Sequence, residues 1–159
     1  MIKFILLLSV FIFNIHASTI NFQEEKYIEV IDNTVFKKGT LDFKENQITL
    51  KYKNSNRILV YENDNLTIKT GKDTQTVDLN KQLALKMVFL LIEAIHTNDL
   101  QTLQEHFKIH KINKITTLEP LGSLTNYIEN VEFKKDKKLE FLTIKMANGN
   151  ITTIRELND

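Results

Sequence analysis

Two histidines four positions apart, His106 and His110, with Glu105 beside the first, come nearest to a reactive constellation in this sequence. On a helix that spacing puts both imidazoles on one face, as half of a metal site requires. No third ligand lies nearby, and two surface histidines at a helix end explain the pair more simply. There is no cysteine, hence no thiol nucleophile and no cysteine-based zinc site. Gly39, Gly71, Gly122 and Gly149 each stand alone, so no glycine-rich loop can cradle a phosphate. Ser123 follows Gly122 but precedes Leu124 without the second glycine of a nucleophile elbow. The carboxylates fall on the polar beats of strand-like runs. The expectation is a protein that binds, with no enzyme activity, metal or cofactor.

Charge narrows the class of partner. The chain has 21 basic and 20 acidic residues. Both signs are scattered, so no single-sign field is available to steer nucleic acid, and no nucleic-acid partner is expected. The densest basic cluster is Lys134, Lys135, Lys137 and Lys138 around Asp136, and it reads as a solvated hairpin turn between two strands.

The first seventeen residues read as a cleaved secretory leader. Lys3 is the basic start, Phe4 to Phe13 is apolar apart from Ser9, and Ala17 is the small residue at the cleavage position. The apolar run is too short to span a ~30 Å hydrocarbon core. Residues 18–159 are therefore expected to form one exported domain in the periplasm, acting as a monomer. An exported domain without disulfides must rely on its own core.

Hydrophobic period sets the layout. A first strand is expected over Ile20 to Ile31, with Lys37, Lys38 and Gly39 punctuating the chain after it. Leu41 and Phe43, then Ile48, Leu50 and Tyr52, alternate with polar residues in period two. Ile58 to Tyr61, Leu66 with Ile68, and Val77 with Leu79 continue the pattern across polar turns. This is the signature of an antiparallel meander. Leu79 to His96 then carries neither glycine nor proline and reads as a helix. Asn98 and Asp99 end it and offer the cap of a second, shorter helix bearing Leu100, Leu103 and Phe107. Strand patterns resume over Ile109 to Leu118, Tyr127 to Phe133, Leu139 to Met146 and Ile151 to Leu157. The fold class is α+β, with helices on one face of an antiparallel sheet.

The long helix is the informative element. Gln82, Lys86 and Glu93 form a narrow polar stripe, and most of the remaining circumference is apolar. Such a helix is either ordinary core or a lid over a concave sheet that holds an acyl chain. A cavity of that kind binds by apolar area, at ~0.8 kcal/mol per buried methylene, and needs no motif. Leu85, Val88, Phe89 and Ile92 are the candidate lid contacts, at spacings of three, four and seven away from Lys86 and Glu93. Phe43, Leu50 and Tyr52 are the candidates on the strands.

A series of landmarks runs through Phe22-Gln23, Gly39-Thr40-Leu41, Ile48 to Tyr52, Ile58-Leu59-Val60 with Leu66, and Asn98-Asp99-Leu100 to Phe107. It continues in Leu118-Glu119-Pro120, Leu139 and Leu142, and Asn148-Gly149-Asn150 to Thr153. Their order resembles the LolA family of periplasmic lipoprotein carriers. The sequence departs from the family in lacking an N-terminal helix, a tryptophan in the third strand, and the Arg-Pro pair whose arginine latches the lid. Lys44-Glu45-Asn46 stands at that place. What the resemblance implies is an open, curved antiparallel half-barrel with helices over its concave face. It also implies a carrier or chaperone for an acylated lipoprotein or related lipid, moving it from an inner-membrane release complex to an outer-membrane acceptor. A protein-binding periplasmic sensor or regulatory module on the same fold is the alternative.

Overall fold

The computed structural model describes residues 18–158. The leader expected over residues 1–17 lies outside the described residues. Eleven strands form one antiparallel sheet: β1 Ser18–Ile28, β2 Asn33–Lys44, β3 Gln47–Tyr52, β4 Arg57–Glu62, β5 Asn65–Thr70, β6 Asp73–Asp78, β7 Phe107–Ile112, β8 Ile115–Pro120, β9 Ile128–Lys135, β10 Leu139–Met146 and β11 Ile151–Glu156. Their spatial order is β6-β5-β4-β3-β2-β1-β11-β10-β9-β8-β7. Two meanders thus meet where the first strand pairs with the last, and the sheet stays open between β6 and β7. One α-helix, α1 Leu83–Thr97, connects those two edges in sequence.

Asparagine-rich turns make the meander possible. Asn63 and Asp64 both have positive φ, the conformation a two-residue hairpin needs to match strand twist. Asn46, Asn54 and Asn113 also take left-handed φ, where Asn is better tolerated than most residues. The turn at Asn113 splits the run Ile109 to Leu118, expected as one strand, into β7 and β8.

Cross-strand register lays the inward side chains in rows. Ser18, Phe43, Ile48, Tyr61, Leu66 and Val77 align in one row, and Ile20, Leu41, Leu50, Leu59, Ile68 and Gln75 in the next. Phe22, Gly39 and Tyr52 begin a third. Because strand side chains alternate between faces, all these residues share one face. Phe133, Val131, Leu142, Ile144 and Ile154 extend it across the other half.

This face is concave, and α1 lies against it. Phe89 stacks on Tyr61 of β4, with centroids 4.9 Å apart, while Lys135 of β9 bonds the carbonyl of Ile95. Those strands are six spacings apart in the sheet order, about 29 Å on a flat sheet at ~4.8 Å each. Phe89 to Ile95 rises only about 9 Å along the helix. The sheet must curl to bring both strands to the same helix.

Three sequence expectations are corrected. The second helix does not form: Gln101–Leu103 is a single 3-10 turn, and Phe107 opens β7. The N-cap of that turn is Leu100 and not Asp99, although the Asp99 carboxylate accepts from the Gln101 amide at 3.2 Å, and Leu103 and Phe107 are drawn into the sheet core instead of making a helical face. The long helix starts later than Leu79, because Leu79–Lys81 is a 3-10 turn capped by Asp78. Lys37, Lys38 and Gly39 are not a break either; they lie inside β2. A Cβ on Gly39 would sit 2.3 Å from the Lys51 carbonyl and 2.9 Å from the Phe22 ring. Glycine there allows close approach within a strand and marks no turn.

Candidate functional site

From one end to the other, the concave face grades from sealed to open. Beneath α1, Phe43, Ile48, Tyr61 and Leu66 are all buried, and so are Met87, Phe89, Leu91, Ile92, Ala94 and Ile95 of the helix. The cleft directly beneath α1, bounded by Ile20, Leu41, Phe43, Ile92, Ile95 and residues of β10 and β11, is about 30 Å³, room for about one or two waters and no acyl chain. Clefts of about 210 and 230 Å³ flank the helix beside Ile95 and Phe133 and beside Glu93 and Tyr61. The excess apolar surface of the helix is explained by enclosure, since the curled sheet covers it on most sides.

Each end of α1 is pinned by a lysine. Lys86 pairs with Asp64 at 2.9 Å and donates to Asn80 Oδ1 at 2.9 Å, which ties the first turns to the β4–β5 hairpin. At the other end Lys135 Nζ donates to the carbonyls of Ile95 (2.6 Å) and His96 (2.9 Å) and to Asn98 Oδ1 (3.0 Å). All three ammonium protons are used, two on carbonyls that a helix C-terminus leaves unpaired and one on the side chain of the C-cap residue Asn98. Burial pushes the Lys135 ammonium below its ordinary pKa, and the Glu156 carboxylate works against that shift. Lys135 was expected in a solvated turn. Its position on the inward beat of Val131, Phe133 and Lys135 turns it toward the helix instead.

His96, at the same end, lies flat on Phe43, centroids 3.6 Å apart, and its Nε2 is 2.9 Å from Ser18 Oγ. Burial, reinforced by Lys135, lowers its pKa, while Glu156 opposes. The Glu156 carboxylate accepts from the Leu139 amide.

Away from the helix the same face runs into a groove of about 760 Å³ between β2 and the β3–β4 turn, lined by Phe36, Lys37, Tyr52, Arg57, Leu59 and neighbours. Leu59 and Ile68 are half-buried and pack on the core from its side. Tyr52 forms the inner wall. Its ring meets Phe22 edge-on at 5.8 Å, its hydroxyl donates to Glu24, and Lys37 Nζ sits 5.1 Å from its centroid. Burial, then the bond to Glu24, raises the Tyr52 phenol far above its ordinary value, so it is a fixed donor at any working pH.

The expected site residues are thus divided. Phe43, Leu50, Phe89 and Ile92 meet in the sealed contact between helix and sheet. Tyr52 lines the open groove. Val88 is half-buried, and Leu85 is 38% exposed on the outer side of α1. Leu59, Lys37 and Arg57 were not anticipated as site residues. The inward alternation of Arg57, Leu59 and Tyr61 would have pointed to Leu59, but nothing local marks a groove built from separate strands. His106 and His110 do not make half a metal site. His110 lies on β7, where a spacing of four covers about 13 Å, and it faces Glu119 at 3.4 Å. No group of three metal-ligating side chains occurs among the described residues.

No protein-family model matches the chain, and no curated protein matches it. Among solved structures it is similar to the LolA superfamily protein NE2245 from Nitrosomonas europaea, at 7% identity and a TM-score of 0.47, over 92% of this chain and 86% of that one.

Proposed function

We propose that this protein is a periplasmic carrier that holds the acyl part of a lipoprotein or a related lipid on its concave sheet face, for transfer towards the outer membrane. The observation that carries the reading is the groove of about 760 Å³ opening directly off the apolar face, with Leu59 and Tyr52 in its lining. Its volume falls in the ~300–1,000 Å³ range of small-ligand sites. The leader-like residues 1–17 support the compartment, and the lack of a catalytic grouping in the sequence supports carriage over chemistry. Cargo can enter this groove with α1 in place, whereas the space beneath the helix would have to be opened first.

A chain-length series tests the proposal. A bound acyl chain gains ~0.8 kcal/mol per methylene when fully buried, and about half of that in a groove open to water. Displacement of a fluorescent fatty-acid probe by C8, C10, C12 and C14 acids should therefore show affinity rising about two- to fourfold per methylene. Affinity independent of chain length, or no probe binding, would refute an acyl site.

A further inference from the structure

Four cations gather at the open groove: Lys37 and Lys38 from β2, Lys53 from the β3–β4 turn, and Arg57 from β4. The lining contains no carboxylate. Elsewhere Lys51, Lys81, Lys86, Lys114, Lys134 and Arg155 are paired with carboxylates while other lysines such as Lys26, Lys69 and Lys145 stand alone among the described residues, so what sets the groove apart is the clustering of its cations. None of the four groove cations forms an ion pair among the described residues. A second, smaller pocket beside Ile95 and Phe133 also carries lysines, but there Lys114 pairs with Asp136 and Lys135 caps the helix. The carboxylate at its edge is Glu24, the cross-strand partner of Lys37, which accepts from the Tyr52 hydroxyl, so four cations against one carboxylate leave the groove a local excess of positive charge.

Apolar surface lies within reach of that charge. Phe36, 61% exposed, Tyr52 and Leu59 line the same groove. Lys37 lies over the Tyr52 ring, which holds its ammonium at the inner wall. Arg57 offers a planar fork that suits a phosphate or carboxylate. Concavity and volume fit a ligand of small-molecule size better than a flat membrane or a folded protein partner.

We propose that the groove selects an amphiphile with an anionic head, the acyl tail lying along Tyr52 and Leu59 and the head held by Lys37 and Arg57 on the same face, with Lys38 and Lys53 adding positive charge at the rim. This rests on the acyl-carrier reading and adds to it the charge class of the cargo.

Competition against the same fluorescent probe tests it on the purified protein, using dodecyl phosphate, dodecyl maltoside and inorganic phosphate. Dodecyl phosphate should bind at least tenfold tighter than dodecyl maltoside. The advantage should shrink at 1 M salt, where the Debye length falls to ~3 Å. The double variant Lys37→Gln/Arg57→Gln should lose most of the preference, the ratio of the two affinities falling to within about threefold of one, and a ratio still at the parent's value overturns the assignment of the head to these two residues. Inorganic phosphate should not compete at the concentration where dodecyl phosphate does. Equal affinity for the two detergents overturns the head-group site and leaves the acyl reading standing. Competition by phosphate alone at equal concentration overturns the lipid identity of the ligand. Binding of neither detergent overturns both readings.

Discussion

Replacing Lys135 by Met keeps the aliphatic stem and deletes the ammonium that closes the C-terminal end of α1. The loss has two parts. Hydrogen bonds to a charged group contribute ~1.5–3 kcal/mol each when dry, and less wherever water takes the place of the lost ammonium. The cation at the helix C-terminus adds ~0.3–1 kcal/mol through the macrodipole. Against these stands relief of the burial that already lowers the Lys135 pKa. The net expectation is a destabilisation of about 2 kcal/mol. For a domain of this size, at ~3 °C per kcal/mol, that is a fall in Tm of about 6 °C. Thermal unfolding followed by circular dichroism gives the magnitude, and amide hydrogen exchange gives the location. Protection should drop first at residues 93–97, in the last helical turn, before the sheet responds. A Tm within 1 °C of the parent, with unchanged protection in that turn, would refute the latch.

Gly39→Ala forces a Cβ against the Lys51 carbonyl and the Phe22 ring, so we expect a loss of about 2–4 kcal/mol in urea unfolding; a loss under 0.5 kcal/mol would show that the strands can part there. His96 has a lowered pKa in the folded state, so the unfolded chain binds the proton more readily. Its stability contribution is complete above the ordinary histidine pKa of ~6.5 and is lost as pH falls through the folded value. The Tm gap between parent and His96→Gln should therefore shift against the parent from pH 7.5 to pH 5, and a constant gap contradicts the assignment. Phe89→Asp places a carboxylate at a site 3% exposed and stacked on Tyr61, and should cost more than 4 kcal/mol and unfold the domain. Leu59→Asp, half-buried on the groove wall, should cost no more than about 1–2 kcal/mol while abolishing probe binding; equal stability losses would show the groove to be closed core.

Much of the sheet was legible in the sequence, because a half-buried strand writes its faces into alternating residues. Leu41 and Phe43, Ile48 and Leu50, and Leu142 and Ile144 are inward pairs in both the pattern and the structure. The helix was equally plain, though its first turn was overdrawn, since Leu79 to Lys81 looks helical until Asp78 caps a tighter 3-10 turn. The supposed second helix failed where tertiary contacts overrode a local pattern. Leu103 and Phe107 fit a helical spacing, yet both are buried when Phe107 joins β7. The site was the least legible part. Leu85 shares a helical face with Phe89 and Ile92 by spacing, but a curled sheet encloses the helix unevenly and leaves Leu85 outside. Lys135 and Lys137 look alike in sequence; only the position of Lys135 on the inward beat of β9 carries it to the helix end. The groove joins residues of four strands, and no short window of sequence contains it.

The central claim, that cargo lies in the open groove and not under the helix, is tested most directly by photo-crosslinking. A C12 fatty acid carrying a terminal diazirine is irradiated in the presence of the purified protein, and the modified residues are located by peptide mass spectrometry. The account predicts crosslinks at Tyr52 and Leu59 and their neighbours on β2 to β5. Crosslinks confined to Phe43, Phe89 and Ile92 would place the cargo beneath α1 and contradict it.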